Sequence, residues 1–191
     1  LIVPFLIPVN TSGTLTNTEA AKDIWGDRSE FIELAGHDVH YVTAGDPEAE
    51  KMLLMLHGFG ASAYSFKYVI DQIPDTFVVA YDRAAFGFTE RPESYEQNPY
   101  ELESQLEVID GFIDLFGEDK EIYLLGHSAG GSMAMAYAEQ NQEKLTALIL
   151  EAPAVYVSGG GPSWLSWVFS IPQFDHLGPL LVSSIASSGL D

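Results

Sequence analysis

The feature that most limits how this chain folds is Met52-Leu53-Leu54-Met55-Leu56, five apolar residues in succession between Lys51 and His57. A strand with one wet face alternates apolar and polar residues, and this run does not. It is also too short for a buried helix, so it reads as a strand covered on both faces, the condition met in a parallel sheet. Similar runs recur at Phe77-Val78-Val79-Ala80-Tyr81, at Ile122-Tyr123-Leu124-Leu125 and over Leu145 to Leu150.

Between these runs the apolar residues fall at helical spacing. Phe66, Val69, Ile70 and Ile73 form one stripe, and Leu102, Leu106, Ile109, Phe112, Ile113 and Phe116 form a longer one. Asn98 is placed to cap the longer helix, Pro99 suits its first position, Glu101 favours its positive end and Gly117 suits its stop. A third helix is expected over 129–142. Upstream, Phe31 to Leu34 and Val39 to Val42 read as an antiparallel hairpin joined by Ala35-Gly36-His37-Asp38, with His37 and His40 on its surface. The polar residues of 10–28 read as a surface approach. Strands and helices in alternation predict an α/β fold, a doubly wound and mostly parallel sheet.

Charge narrows the range of partners. Eight lysines and arginines against 28 aspartates and glutamates give a formal net charge of −20. Nucleic acid and anionic membrane surfaces are repelled by such a surface, because binding them depends on basic groups. A strongly solvated surface explains the charge, and adaptation to high salt is the sharper alternative. The chain has no cysteine, which excludes disulfides, thiolate metal sites and a cysteine nucleophile. No cofactor and no metal site is indicated: Gly159-Gly160-Gly161 lacks the lysine and the strand–helix context of a phosphate loop. The apolar opening, Leu1 to Val9, is far shorter than the roughly 20 residues of a spanning helix. It reads as an extended arm or as the remnant of a removed signal or anchor. A cytoplasmic location is favoured, with a secreted or membrane-anchored parent as the alternative.

The strongest chemical signal is Gly126-His127-Ser128-Ala129-Gly130, a G-x-S-x-G sequence between an apolar strand and a helical stretch. A serine on so sharp a turn is pushed out at the C-terminal end of the sheet, and side chains in place of the flanking glycines would clash. Ser128 is therefore the candidate nucleophile. The second signal is His57-Gly58-Phe59-Gly60, a glycine-rich turn directly after the first buried strand. The main-chain N–H groups of Phe59 and Ala129 are the candidate oxyanion donors. His57 reads as a satisfied structural histidine. His127 and the Phe59 side chain are placed to line a substrate pocket.

The segments HGFGAS, YDRAAFGFTERP and GHSAGG, in this order, resemble the α/β-hydrolase family, closest to its cap-bearing esterase and carbon–carbon hydrolase branches. The resemblance covers about residues 29 to 156. It implies an eight-stranded sheet of which six strands are present, leaving an open apolar edge. With the N-terminal arm read over 1–28, the resemblance implies a partial hydrolase core over 29–156 and the beginning of a helical cap over 157–191. Trp164, Trp167 and Phe169 would then help to line an apolar acyl pocket. Asp82 and Gly87 match the family's loop after the fourth strand, with Asp82 as a loop brace and Ala85 where a glycine is frequent. Branches that open epoxides or cleave carbon–halogen bonds carry an aspartate at the nucleophile position, which here is Ser128.

A serine hydrolase also needs a histidine base and a carboxylate that orients it. The resemblance puts the histidine beyond Asp191, with His176 as a lesser candidate inside the chain. Glu151, at the end of the sixth strand, is the candidate acid within the chain. As given, the chain is expected to turn over little substrate, because losing the base costs about a million-fold in comparable serine enzymes. The expected function is hydrolysis of a small apolar ester or related acyl compound through an acyl-enzyme. The alternatives are a carbon–carbon bond hydrolase or a perhydrolase using the same serine, and a non-catalytic ligand-binding member of the fold. Oligomeric state is left open.

Overall fold

The computed structural model describes residues 17–92 and 94–155. The proposed cap over 157–191, the apolar opening, His176 and the three cap aromatics lie outside these residues.

Six strands form one sheet: β1 Ser29–Leu34, β2 His37–Ala44, β3 Lys51–Leu56, β4 Phe77–Tyr81, β5 Glu121–His127 and β6 Ala147–Glu151. Their order across the sheet is β1-β2-β4-β3-β5-β6. The pairs β1–β2 and β2–β4 are antiparallel, and β4, β3, β5 and β6 run parallel. Three helices accompany them: α1 Asn17–Trp25, α2 Leu102–Phe116 and α3 Ala129–Gln140. None of the described helices is long and apolar enough to cross a membrane.

The unbroken apolar run of β3 is explained by its two covered faces. Met52, Leu54 and Leu56 join Val79, Leu124, the Ile109 and Phe112 face of α2, and Ala134 and Tyr137 of α3. Leu53 and Met55 join Val78, Ala80, Trp25 of α1, Phe66 and Ile70 on the other side. Successive residues of one strand thus feed opposite cores. A polar residue at either parity would be buried.

Several local expectations are corrected. The hairpin turn is only Ala35-Gly36, both at positive φ (48° and 77°), the geometry of a tight two-residue turn. β2 therefore starts at His37, and it lies between β1 and β4 rather than at an edge. For that reason His37 and His40, read from sequence as surface residues, are 2% and 0% exposed. His40 is satisfied by Asp82 Oδ2 at 2.8 Å on Nδ1 and by Ser29 Oγ at 3.1 Å on Nε2.

The polar approach is helical from Asn17, and Trp25 anchors it in the second core. The stripe from Phe66 to Ile73 forms two short 3-10 turns, Ala63–Phe66 and Ile70–Gln72, not a helix. Pro74 disfavours helical backbone at Ile73, and the span that remains is too short to hold a helix. α2 begins at Leu102, because Asn98 Oδ1 takes the Tyr100 N–H at 3.1 Å and so caps the turn ahead of the helix. Among the described residues β6 is an outer strand, with Ile149 41% and Leu150 38% exposed.

Candidate active site

The parallel strands deliver two turns side by side at their C-terminal ends. One follows β3 at His57–Gly60. The other follows β5, where Ser128 separates the strand from α3. Leu56 and Gly126 are direct partners in the β3–β5 ladder, so both turns leave the sheet at the same level.

Ser128 has φ +50° and ψ −119°, left-handed backbone that costs a non-glycine residue about 1–3 kcal/mol. The surroundings hold it there. Its N–H donates to Glu151 O at 3.0 Å, and its carbonyl accepts from Gly131 N and Ala154 N, both at 2.9 Å. Glycines make the turn sterically feasible. A Cβ on Gly126 would stand 2.5 Å from Gly130 O, and one on Gly130 would stand 2.4 Å from Leu56 O and 2.6 Å from His57 O. The second clash lies with the end of β3, so Gly130 is what lets α3 rest directly on the neighbouring turn.

No described residue hydrogen-bonds the Ser128 hydroxyl. The Phe59 N–H likewise has no partner among the described residues. Ala129 opens α3, and the first N–H of a helix has no acceptor within that helix. A Cβ on Gly58 would be 3.1 Å from Ser128 Cβ and 3.1 Å from His127 Nδ1, which places the β3 turn against the serine. The helix start adds positive potential at the same spot.

The side chains around this centre divide sharply. His57 is 0% exposed. Its Nδ1 donates to Gly58 O at 2.8 Å and its Nε2 accepts from the Arg83 N–H at 3.0 Å, which fixes a neutral ring. Burial pushes its pKa down to about 4. Phe59 is 84% exposed, and its ring meets Phe86 edge-on with centroids 5.6 Å apart. His127 is half-buried beside Gly58, while Glu151 is exposed and contributes its carbonyl, not its carboxylate, to the Ser128 turn.

Behind the β3 turn lies a buried polar layer. Asp82 accepts from Ala63 N on Oδ1 and from Phe88 N on Oδ2, each at 2.7 Å, besides its contact with His40. It braces the loop after β4, as expected. Gly87 follows from it, since a Cβ there would fall inside the Asp82 carboxylate. Ala85 takes φ +71°, the left-handed conformation that a glycine would take more easily. Arg83, which the sequence reading passed over, binds the carbonyls of His57 and Gly58. The available signal was an arginine directly after the Asp82 brace in a chain with few basic residues.

Fold and site together define an α/β protein with a serine raised on a strained strand-to-helix turn at the C-terminal end of a parallel sheet. The chain belongs to the alpha/beta hydrolase fold family, whose family model matches residues 51–178. It is 32% identical over 117 residues to Epoxide hydrolase 3 of Xenopus tropicalis, covering 61% of this chain and 31% of that protein. It is 25% identical over 162 residues to Lipase 3 of Moraxella sp. (strain TA144), covering 85% of this chain and 50% of that one. The chain therefore spans about a third to a half of these relatives. Among solved structures, the thioesterase domain from the curacin biosynthetic pathway superposes with a TM-score of 0.61 at 24% identity, covering 76% of this chain and 52% of that domain.

Proposed function

We propose that the protein is a serine hydrolase of esters or related acyl compounds, with Ser128 as its nucleophile. The observation that carries this reading is the backbone of Ser128: a non-glycine residue held at φ +50° with no described partner on its hydroxyl. Strain of this kind persists where the surroundings over-determine it, and it gathers at functional sites.

In the proposed reaction Ser128 Oγ attacks the acyl carbon and gives its proton to a histidine base. The carbonyl oxygen becomes an oxyanion between the N–H groups of Phe59 and Ala129. Collapse expels the alcohol or thiol, which takes up that proton. Water then releases the acid from the acyl-enzyme. His37, His40 and His57 are committed to other contacts, and His127, the residue before Ser128 in the turn, sets its ring against Gly58, so the reading places the base outside residues 17–155. Glu151 remains the candidate acid within the chain. The exposed Phe59 ring offers an apolar rim to an acyl group, with His127 as a polar neighbour in the proposed pocket. The similarity to a lipase and a thioesterase fold supports acyl chemistry, and a serine at position 128 favours it over the epoxide chemistry named for the frog relative.

The test is turnover of short-chain p-nitrophenyl esters by the full-length protein, with trapping of the acyl-enzyme by acid quench. A mass increase equal to the acyl group on the peptide containing Ser128 is expected. Turnover that survives Ser128→Ala unchanged would overturn the assignment. Rapid turnover by residues 1–191 alone would point to His176 as the base.

A further inference from the structure

Among the described residues, every hydrogen bond of the Arg83 guanidinium ends on a neutral group. Nε donates to His57 O at 3.0 Å, Nη2 to Gly58 O at 3.2 Å and Nη1 to Met133 Sδ at 3.2 Å. Arg83 is 4% exposed, the one buried side chain among the eight lysines and arginines of the chain. Buried cations are ordinarily paired with a carboxylate. The adjacent one, Asp82, is taken up by His40, Ala63 and Phe88. Arg83 gains a face of the Phe86 ring instead, 5.3 Å from its centroid.

That geometry converges on one peptide plane. Gly58 O accepts from both Arg83 Nη2 and His57 Nδ1. In a trans peptide the carbonyl and the N–H of the next residue point in opposite directions within one rigid plane. Two donors on Gly58 O therefore set the direction of the Phe59 N–H. They also polarise the unit, since hydrogen bonds in series strengthen one another at low dielectric. The planar fork of an arginine suits two successive carbonyls in a way that a lysine does not. Met133 lies on α3, the helix opened by Ala129, so the same side chain ties the β3 turn to the second candidate donor.

We infer that Arg83 is a positioning residue of the proposed reaction: with His57 it aims and polarises the Phe59 N–H that receives the oxyanion. The inference rests on the serine-hydrolase reading, because it needs an oxyanion to act upon. Arg83 does not touch substrate; its effect passes through the Gly58–Phe59 peptide.

The experiment compares Arg83→Met, Arg83→Lys and Arg83→Ala in the full-length protein by two readouts. The first is phosphonylation by a fluorophosphonate, resolved into a limiting rate and an apparent affinity. Loss of a whole oxyanion donor costs about 100- to 1000-fold, so a mis-set donor should slow the limiting rate about 10- to 100-fold in Arg83→Met, with affinity unchanged. Arg83→Lys should fall between it and the parent, and added guanidinium ion should restore part of the rate of Arg83→Ala. The second readout is the Phe59 amide resonance in protein labelled with 15N-phenylalanine. It should move upfield in Arg83→Met, also on a Ser128→Ala background. A parental phosphonylation rate in Arg83→Met, or an unmoved Phe59 resonance, overturns the inference. If the parent itself is not phosphonylated, the nucleophile assignment fails, and the Phe59 resonance still decides whether the clamp exists. If Arg83→Met does not fold, Arg83→Lys carries both readouts.

Discussion

The two turns that meet at Ser128 are built by different means. The turn after β5 is held by main chain and by missing side chains: Glu151 O, Gly131 N and Ala154 N fix Ser128, and glycines at 126 and 130 leave room. The turn after β3 is held by side chains, chiefly His57 and Arg83 on the carbonyls of residues 57 and 58. The first arrangement resists almost any change of shape. The second can be altered in charge or polarity while the fold stands. The proposed nucleophile thus sits on the stiff turn, and one of its two candidate oxyanion donors sits on the turn that chemistry can tune.

Substitutions separate the two kinds of support. Gly130→Ala should cost the most stability, about 3 kcal/mol at the upper end of overpacking effects, because the new Cβ meets the backbone oxygens of Leu56 and His57 rather than a movable side chain. Chemical denaturation would show it as a lower midpoint with an unchanged slope. A midpoint equal to that of the parent would mean that α3 does not rest on the β3 turn.

The β3 turn should instead answer to pH. His57 stays neutral when folded, with a pKa near 4, against about 6.5 in an unfolded chain. The unfolded state therefore binds the extra proton in this interval. Stability from this group is present above about pH 6.5 and is lost as pH falls towards 4, on the order of 3 kcal/mol in all. His57→Asn should remove that part of the slope, while Ser128→Ala should leave it intact. An unchanged slope in His57→Asn would contradict a buried neutral imidazole.

The smallest effect is expected at Gly60. Its φ is +68° but a Cβ there meets nothing within 4 Å. Gly60→Ala should cost only about 1 kcal/mol, the conformational penalty alone. A loss as large as that of Gly130→Ala would show the β3 turn to be as sterically locked as its neighbour.

How much of this was legible in the sequence depends on the range of the interaction. The buried strands were readable because each core position announces itself by apolar type, and the Ser128 turn because its glycines are local. His40 was not readable as a buried residue, since its partner Asp82 lies 42 positions away. Arg83 escaped for the same reason, its contacts falling 25 and 26 residues upstream and 50 downstream. The stripe from Phe66 to Ile73 has helical spacing yet breaks into short turns, because Pro74 disfavours helical backbone at Ile73 and leaves too short a span. Glu151 was readable as the end of β6, but its carbonyl's hold on Ser128 depends on the β5–β6 register.

The claim on which the rest depends is that Ser128 is an activated nucleophile. The most direct measurement is phosphonylation of the full-length protein by a fluorophosphonate, followed by peptide mapping, with Ser128→Ala beside it. One adduct per chain on Ser128, absent from the alanine variant, is the predicted result. No adduct, or one on another residue that persists in the variant, would contradict the account and leave the strained turn without its chemistry.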